Sequence, residues 1–230
     1  MYRVYFNGIP MPSFVKVHKV DFVDLSLPVS GKPTEKTYTL TDSLVDKAKS
    51  IHEMARELSM WLRGDNFALS PLSFSDNEDV TYMAAVKTAP VIQDLLYLGQ
   101  TVIEFSVPSG AGFGKTKAVA GTNAAQIAVD NEGTVPTFPV IQVTPTNTNS
   151  AQVPFTITDS VTGRVIRLKG PIKAGEVITI DCNKKVVKRG NKVDMLLIQY
   201  NSDWLKFDRA AHVITVDLPC KIIVAYTEKY

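Results

Sequence analysis

The sequence predicts a mainly β protein in two parts: an α+β N-terminal domain with one packed helix over residues 1–133, and an antiparallel β-sandwich over residues 134–230. Three observations carry this reading. A helical hydrophobic period occurs only within residues 43–63. Between about 108 and 134 the composition shifts to Gly, Ala, Ser, Thr and Asn, which marks a junction. From 135 onward, short apolar runs recur between Gly, Pro and Asn turns with no helical period. The 230 residues, 45% hydrophobic and 21% charged, suffice for two cores and lie far from disordered composition.

Residues 1–40 read as short strands. Tyr2, Val4 and Phe6 alternate with Arg3 and Tyr5 before the turn Asn7-Gly8, and Phe14-Val15, Val17 and Val20–Val23 continue the pattern. Ser30-Gly31-Lys32-Pro33 reads as the tip of a long hairpin. The helix follows from Leu44, Ala48, Ile51, Ala55, Leu58 and Leu62, spaced 4, 3, 4, 3 and 4 on one face, with Met54 and Trp61 widening the stripe. Thr41, Asp42 or Ser43 are the expected start caps, and Gly64 the expected stop. Strands are expected again at 67–69, 80–86 and 101–107. In the second part they are expected at 138–143, 153–158, 163–168, 176–181, 185–188, 193–200, 212–217 and 221–226.

The search for chemistry yields no catalytic, cofactor-binding or metal-binding set. Ser109-Gly110-Ala111-Gly112-Phe113-Gly114-Lys115-Thr116 ends like a phosphate-binding loop, yet Ser109 stands where its first glycine belongs and no amphipathic helix follows. The segment is therefore expected to be a flexible loop without nucleotide. His18, His52 and His212 form no ligand spacing. Asp76-Asn77-Glu78-Asp79 lacks the glycine and distal glutamate of a calcium loop and reads as a solvated turn. Cys182 and Cys220, 38 positions apart, are expected to be buried thiols rather than a bridge. The formal charge of +2 is nearly balanced, but residues 164–192 carry nine cations against Glu176 and Asp181. This stretch reads as a solvated face, or as a contact for an acidic neighbour or phosphate-rich polymer. The N-terminus has no signal-peptide pattern, and no apolar run is long enough to insert in a membrane. A soluble protein made in the cytoplasm is the expectation.

A succession of short motifs adds a resemblance. Phe6-Asn7-Gly8 is followed by Ala55–Leu62, Leu72–Asp76, Tyr82–Val86, Leu98-Gly99-Gln100 and Ile103-Glu104-Phe105. Asn131–Ile141, Ala174–Asp181 and Ser202–Phe207 continue the series, which breaks at Asp208–His212, where the pattern has a Pro-Gly-x-Asn turn. In this order the motifs resemble the distal tail (Dit) family of phages and prophages of Gram-positive bacteria. The resemblance implies a structural, non-enzymatic virion protein: an N-terminal domain that closes into a hexameric ring, and a galectin-like sandwich on its periphery. Removing residues 24–40 is then expected to leave a folded core but weaken ring formation. It implies partners in other copies of the chain, the tail tube protein, the tail-tip protein and receptor-binding proteins, with a place at the tail tip after assembly in the host cytoplasm. A carbohydrate-binding module for host cell-wall glycan is the alternative, with Trp204, Tyr200 and Tyr226 as its aromatic candidates.

Overall fold

A computed structural model describes residues 2–24, 36–44, 46, 48–64, 68–88, 100–122, 126–150 and 153–230. The chain divides into two compact units, Met1–Phe113 and Gly114–Tyr230. The sequence placed its junction at 133/134, within the Gly-, Ala- and Thr-rich stretch that the structure builds largely into strands.

In the first unit the strands are β1 (Val4–Phe6), β2 (Ile9–Pro10), β3 (Val15–Asp24) and β4 (Lys36–Leu44). Helix α1 (Ile51–Arg63) precedes β5 (Ser70–Phe74), β6 (Asn77–Thr88), β7 (Thr101–Val107) and β8 (Gly112–Thr122), of which only Gly112 and Phe113 belong to this unit. All pairings are antiparallel. The path β2-β1-β5-β6 meets a second path β3-β4-β7 at β6, whose Thr81 and Tyr82 pair with β8 while Ala85 and Val86 pair with β7. β3 and β4 form the expected hairpin, from Val15↔Leu44 to Asp24↔Lys36. Its expected tip at 30–33 lies outside the described residues, as do Phe67 and Leu98-Gly99.

The helix starts later than its apolar stripe suggested. Residues 36–44 alternate instead, and β4 is held on both sides, by β3 and by β7. Tyr38 and Leu40 enter the core, so residues 24–40 are not dispensable to it. The cap is Ser50, not Thr41, Asp42 or Ser43: its hydroxyl accepts from the Glu53 N–H while the Glu53 carboxylate accepts from the Ser50 N–H. Gly64 ends the helix as expected, its N–H reaching the Trp61 carbonyl. The buried face of Met54, Leu58, Trp61 and Leu62 packs against Phe6, Phe105 and their neighbours. The Trp61 indole N–H donates to the Ile9 carbonyl at 2.9 Å, which ties the helix to β2.

The second unit holds the rest of β8, then β9 (Gln126–Asn131), β10 (Val140–Pro145), β11 (Phe155–Asp159), β12 (Val165–Leu168) and β13 (Ile178–Asp181). It ends with β14 (Val186–Arg189), β15 (Lys192–Val193), β16 (Ala210–Val216) and β17 (Cys220–Lys229). One sheet runs β15-β14-β13-β10-β17-β8, the other β12-β11-β16-β9. Alternate residues of both sheets, among them Ile141, Val143, Phe155, Ile157, Ile178, Ile180, Ile214 and Ile222, meet in one aliphatic core. This is the expected antiparallel sandwich. The expected strand over 193–200 is instead a two-residue strand followed by a strap, because Asp194 and Leu197 turn the chain away. Cys182 and Cys220 are free and buried, and burial pushes their thiols up to about 12 and about 11. Among the described residues no helix is long and apolar enough to cross a membrane.

Candidate functional site

From Gly112 on, the phosphate-loop lookalike is a strand, preceded by a turn at Ser109-Gly110. Gly112–Thr122 is β8, and no helix follows it. A Cβ on Gly112 would lie 2.4 Å from Val80 Cγ1 and 2.7 Å from Tyr82 Cε1. This glycine lets two strands approach. The reading as a flexible loop is corrected by the same fact.

The acidic stretch 76–79 spans a tight turn and the exposed start of β6. Beside it Tyr2, Tyr38, Phe74 and Tyr82 pack as an aromatic cluster at one side of a half-open cleft of about 480 Å³, with Asp76 at its rim. Burial pushes the Tyr2 phenol far up, helped by the Asp76 carboxylate, and does the same to Tyr38, helped by Tyr82. The phenols stay protonated.

Of the three histidines, His18 meets Ser43 at 2.7 Å and His52 is exposed on α1. His212 is buried, and no local pattern marks its partner. Its Nδ1 lies 2.9 Å from Asp159 Oδ2, and its Nε2 lies 3.0 Å from the Asp208 carbonyl. Asp159 also accepts from the Thr162 hydroxyl at 2.6 Å and the Val161 N–H at 3.1 Å. Burial by itself would raise the Asp159 carboxyl, but these donors outweigh it and hold it below its ordinary value. The arrangement resembles the base–orienter half of a catalytic triad, yet both ring nitrogens face acceptors and the pair is sealed in the core. It fastens the turn at Asp208–His212, where the motif series breaks: the Asn131 amide also donates to the Asp208 carbonyl, at 3.2 Å. Side chains here replace the missing Pro-Gly turn.

Among the aromatic candidates, Tyr226 is buried with its hydroxyl donating to the Asp130 carbonyl at 2.6 Å, and Trp204 packs against the sandwich core. Only Tyr200 stands free in solvent, so the three make no common platform for a sugar. The basic stretch is divided. Arg189 is spent on Glu176 at 2.8 Å and Asp194 at 3.1 Å. Arg167 and Lys169 lie at the β12 edge, Lys188 and Lys192 at the β14–β15 edge, and residues 194–203 connect the two.

Residues 132–230 match the family model of the siphovirus-type tail component, C-terminal domain. Its start lies close to the junction read from the sequence. No curated protein matches the chain. Among solved structures, the fold is similar to that of the Dit protein (gp 19.1) of phage SPP1, described as a paradigm of the hub adsorption apparatus in phages that infect Gram-positive bacteria. The TM-score is 0.71 at 14% identity, covering 100% of this chain and 99% of that one. A chain of the phage p2 baseplate in its activated conformation with Sr aligns at a TM-score of 0.36 and 8% identity, covering 97% of each.

Proposed function

We propose that the protein is a structural distal tail component of a phage, a hub at the tail tip that joins the tail tube to the tail-tip and receptor-binding proteins, and that it catalyses no reaction. The observation that carries this reading is the match of residues 132–230 to the tail-component domain. The whole-chain likeness to a hub protein supports it.

In this role six copies close a ring through the N-terminal domain, residues 1–133, and the sandwich, residues 134–230, stands outside it with a galectin-like fold. A ring of identical chains needs a heterologous contact that closes after a fixed rotation. The long β3–β4 hairpin offers such a contact, since an edge strand carries unpaired backbone groups that a neighbour can complete. The proposed location is the virion tail tip, after assembly in the host cytoplasm.

The test is mass measurement in solution, alone and with the tube and tail-tip proteins of the same phage, together with peptide mapping of purified tails. The expected result is the chain in purified tails and a six-copy ring when the neighbours are present. Tails that lack the chain would overturn the reading. Binding of host cell-wall glycan by the full chain, with no tail association, would favour a carbohydrate-binding module instead.

A further inference from the structure

We infer that the strap 192–203, with the cations beside it, is the docking surface for another tail protein whose own surface is acidic around an apolar centre. This rests on the reading of the chain as a tail component and names a partner chemistry for one face of it.

The strap closes one edge of the sandwich. The Asp194 N–H donates to the Val187 carbonyl at 2.9 Å on one sheet. On the other sheet, the Lys169 N–H donates to the Leu197 carbonyl at 2.6 Å, the Gln199 N–H to Arg167 at 2.9 Å and the Asp203 N–H to Val165 at 2.7 Å. Leu197 is buried beneath it. Backbone groups at both ends of the strap are thus used inward, so a partner meets this edge through side chains and not by adding a strand.

Those side chains are apolar. Leu196 is 84% exposed and Tyr200 100%, with Val193 at 60% and Met195 at 42%. Single exposed apolar residues are ordinary, but four large ones within eight positions on a fixed strap make a patch. Tyr and Met are residue types enriched where protein interfaces bury their centres.

The rim is cationic. Lys188 stands opposite Val193 in the ladder, so the two side chains share a face. Lys169, Lys188 and Lys192 make no ion pair among the described residues. Of the nearby carboxylates, Glu176 and Asp194 are held by Arg189, Asp181 pairs with Lys184, and Asp203 accepts from the Val165 N–H. The edge therefore has a surplus of positive charge that an acidic partner neutralises. A phosphate-rich polymer would satisfy the cations but leave Leu196 and Tyr200 in water. The same edge of a second copy would bring lysine against lysine.

The test is zero-length carbodiimide cross-linking of intact purified tails, which joins amines to carboxylates in contact, with amide exchange of 192–203 measured in tails and in the isolated chain. The expected result is linkage of Lys188 or Lys192 to an Asp or Glu of a different tail protein, and slower exchange of the strap in tails. The double substitution Leu196→Ser and Tyr200→Ser should lower the linkage yield about tenfold or more. The pair Lys188→Glu and Lys192→Glu, read by exchange alone, is the second variant and should lose the protection. Tails that contain the chain but leave the strap unlinked and unprotected overturn this inference and spare the proposed function. Links only to another copy, or protection produced by inorganic polyphosphate in place of the tail partner, also overturn it. Absence of the chain from tails overturns both.

Discussion

In the second unit the buried Asp159 accepts hydrogen bonds from His212, Thr162 and the Val161 amide. In the first unit the equally buried Asp42 accepts none among the described residues, and the hydroxyl of Thr37, farther along the same strand, is also unpaired there. The cores around them differ too. One is built from interdigitated Ile, Val and Leu. The other is built around rings: Phe105 lies 5.2 Å from Phe6 and 6.3 Å from Trp61 between centroids. Two β-rich units of one chain thus handle a buried carboxyl in opposite ways. Where donors converge, the charged form is kept; where none do, the low dielectric favours the proton, and burial pushes Asp42 up to about 7.

The largest expected effect lies in the satisfied network. His212→Ala strips the buried Asp159 of a donor and leaves the Asp208 carbonyl with the Asn131 amide alone, and should cost the second unit about 3–5 kcal/mol. Urea unfolding followed by Trp204 fluorescence in a Trp61→Phe background reads this loss. A cost below about 1 kcal/mol would show the pair to be dispensable and would remove the contrast between the units.

The pH response should separate the units more sharply. For Asp42 the folded value, about 7, exceeds the ordinary 3.8, so the folded state binds the proton more tightly than the unfolded one. Its contribution is fully present below about pH 4 and is lost as pH rises through about 7, with an upper bound of about 4 kcal/mol. Asp159, Glu176 and Glu228 are all held below their ordinary values against the effect of burial: Asp159 by its donors, Glu176 by the Lys173 amide and Arg189, and Glu228 by Lys117 and the Glu132 amide. Their contribution is present above the ordinary carboxylate range and is lost as pH falls below it. Calorimetry should therefore show the first unit weakening from pH 4 to 8 and the second weakening toward pH 3. Asp42→Val should flatten the first trend and leave the second unchanged; parallel trends in both units would break the comparison.

A smaller effect tests the strand that replaced the expected loop. Gly112→Ala should destabilise the first unit by about 1–3 kcal/mol, because the new methyl group meets Val80 and Tyr82. Trp61 fluorescence in a Trp204→Phe background measures it. An unchanged midpoint would return the segment to the status of a yielding loop.

Much of this architecture was legible in local pattern. The stripe Met54–Leu58–Trp61–Leu62 announced a helix, and short apolar runs between turn residues announced β10, β11, β16 and β17. The start of the helix was hidden because Leu44 fits a helical period and an alternating one equally well, and the partners β3 and β7 decided between them. β8 was hidden because Gly112, Ala118, Ala120 and Gly121 have weak strand preference, and only the neighbouring strands make them a ladder. The candidate surface was half legible. The cations of 164–192 stood out by count, but the exposed apolar strap read as one more strand, since Val193–Tyr200 is rich in apolar residues whichever way they face.

The amino-acid order by itself determined what depends on neighbours a few positions apart: one amphipathic helix ended by Gly64, alternating strands, turns at glycine and asparagine, and two thiols in apolar runs. Tertiary structure alone decided which distant groups meet. His212 and Asp159 are 53 positions apart, and no local rule pairs them. Periodicity is a property of the backbone's own geometry, whereas donor counts, burial and exposure depend on which strands lie side by side. That is why one carboxyl keeps its charge, another loses it, and Leu196 and Tyr200 face water.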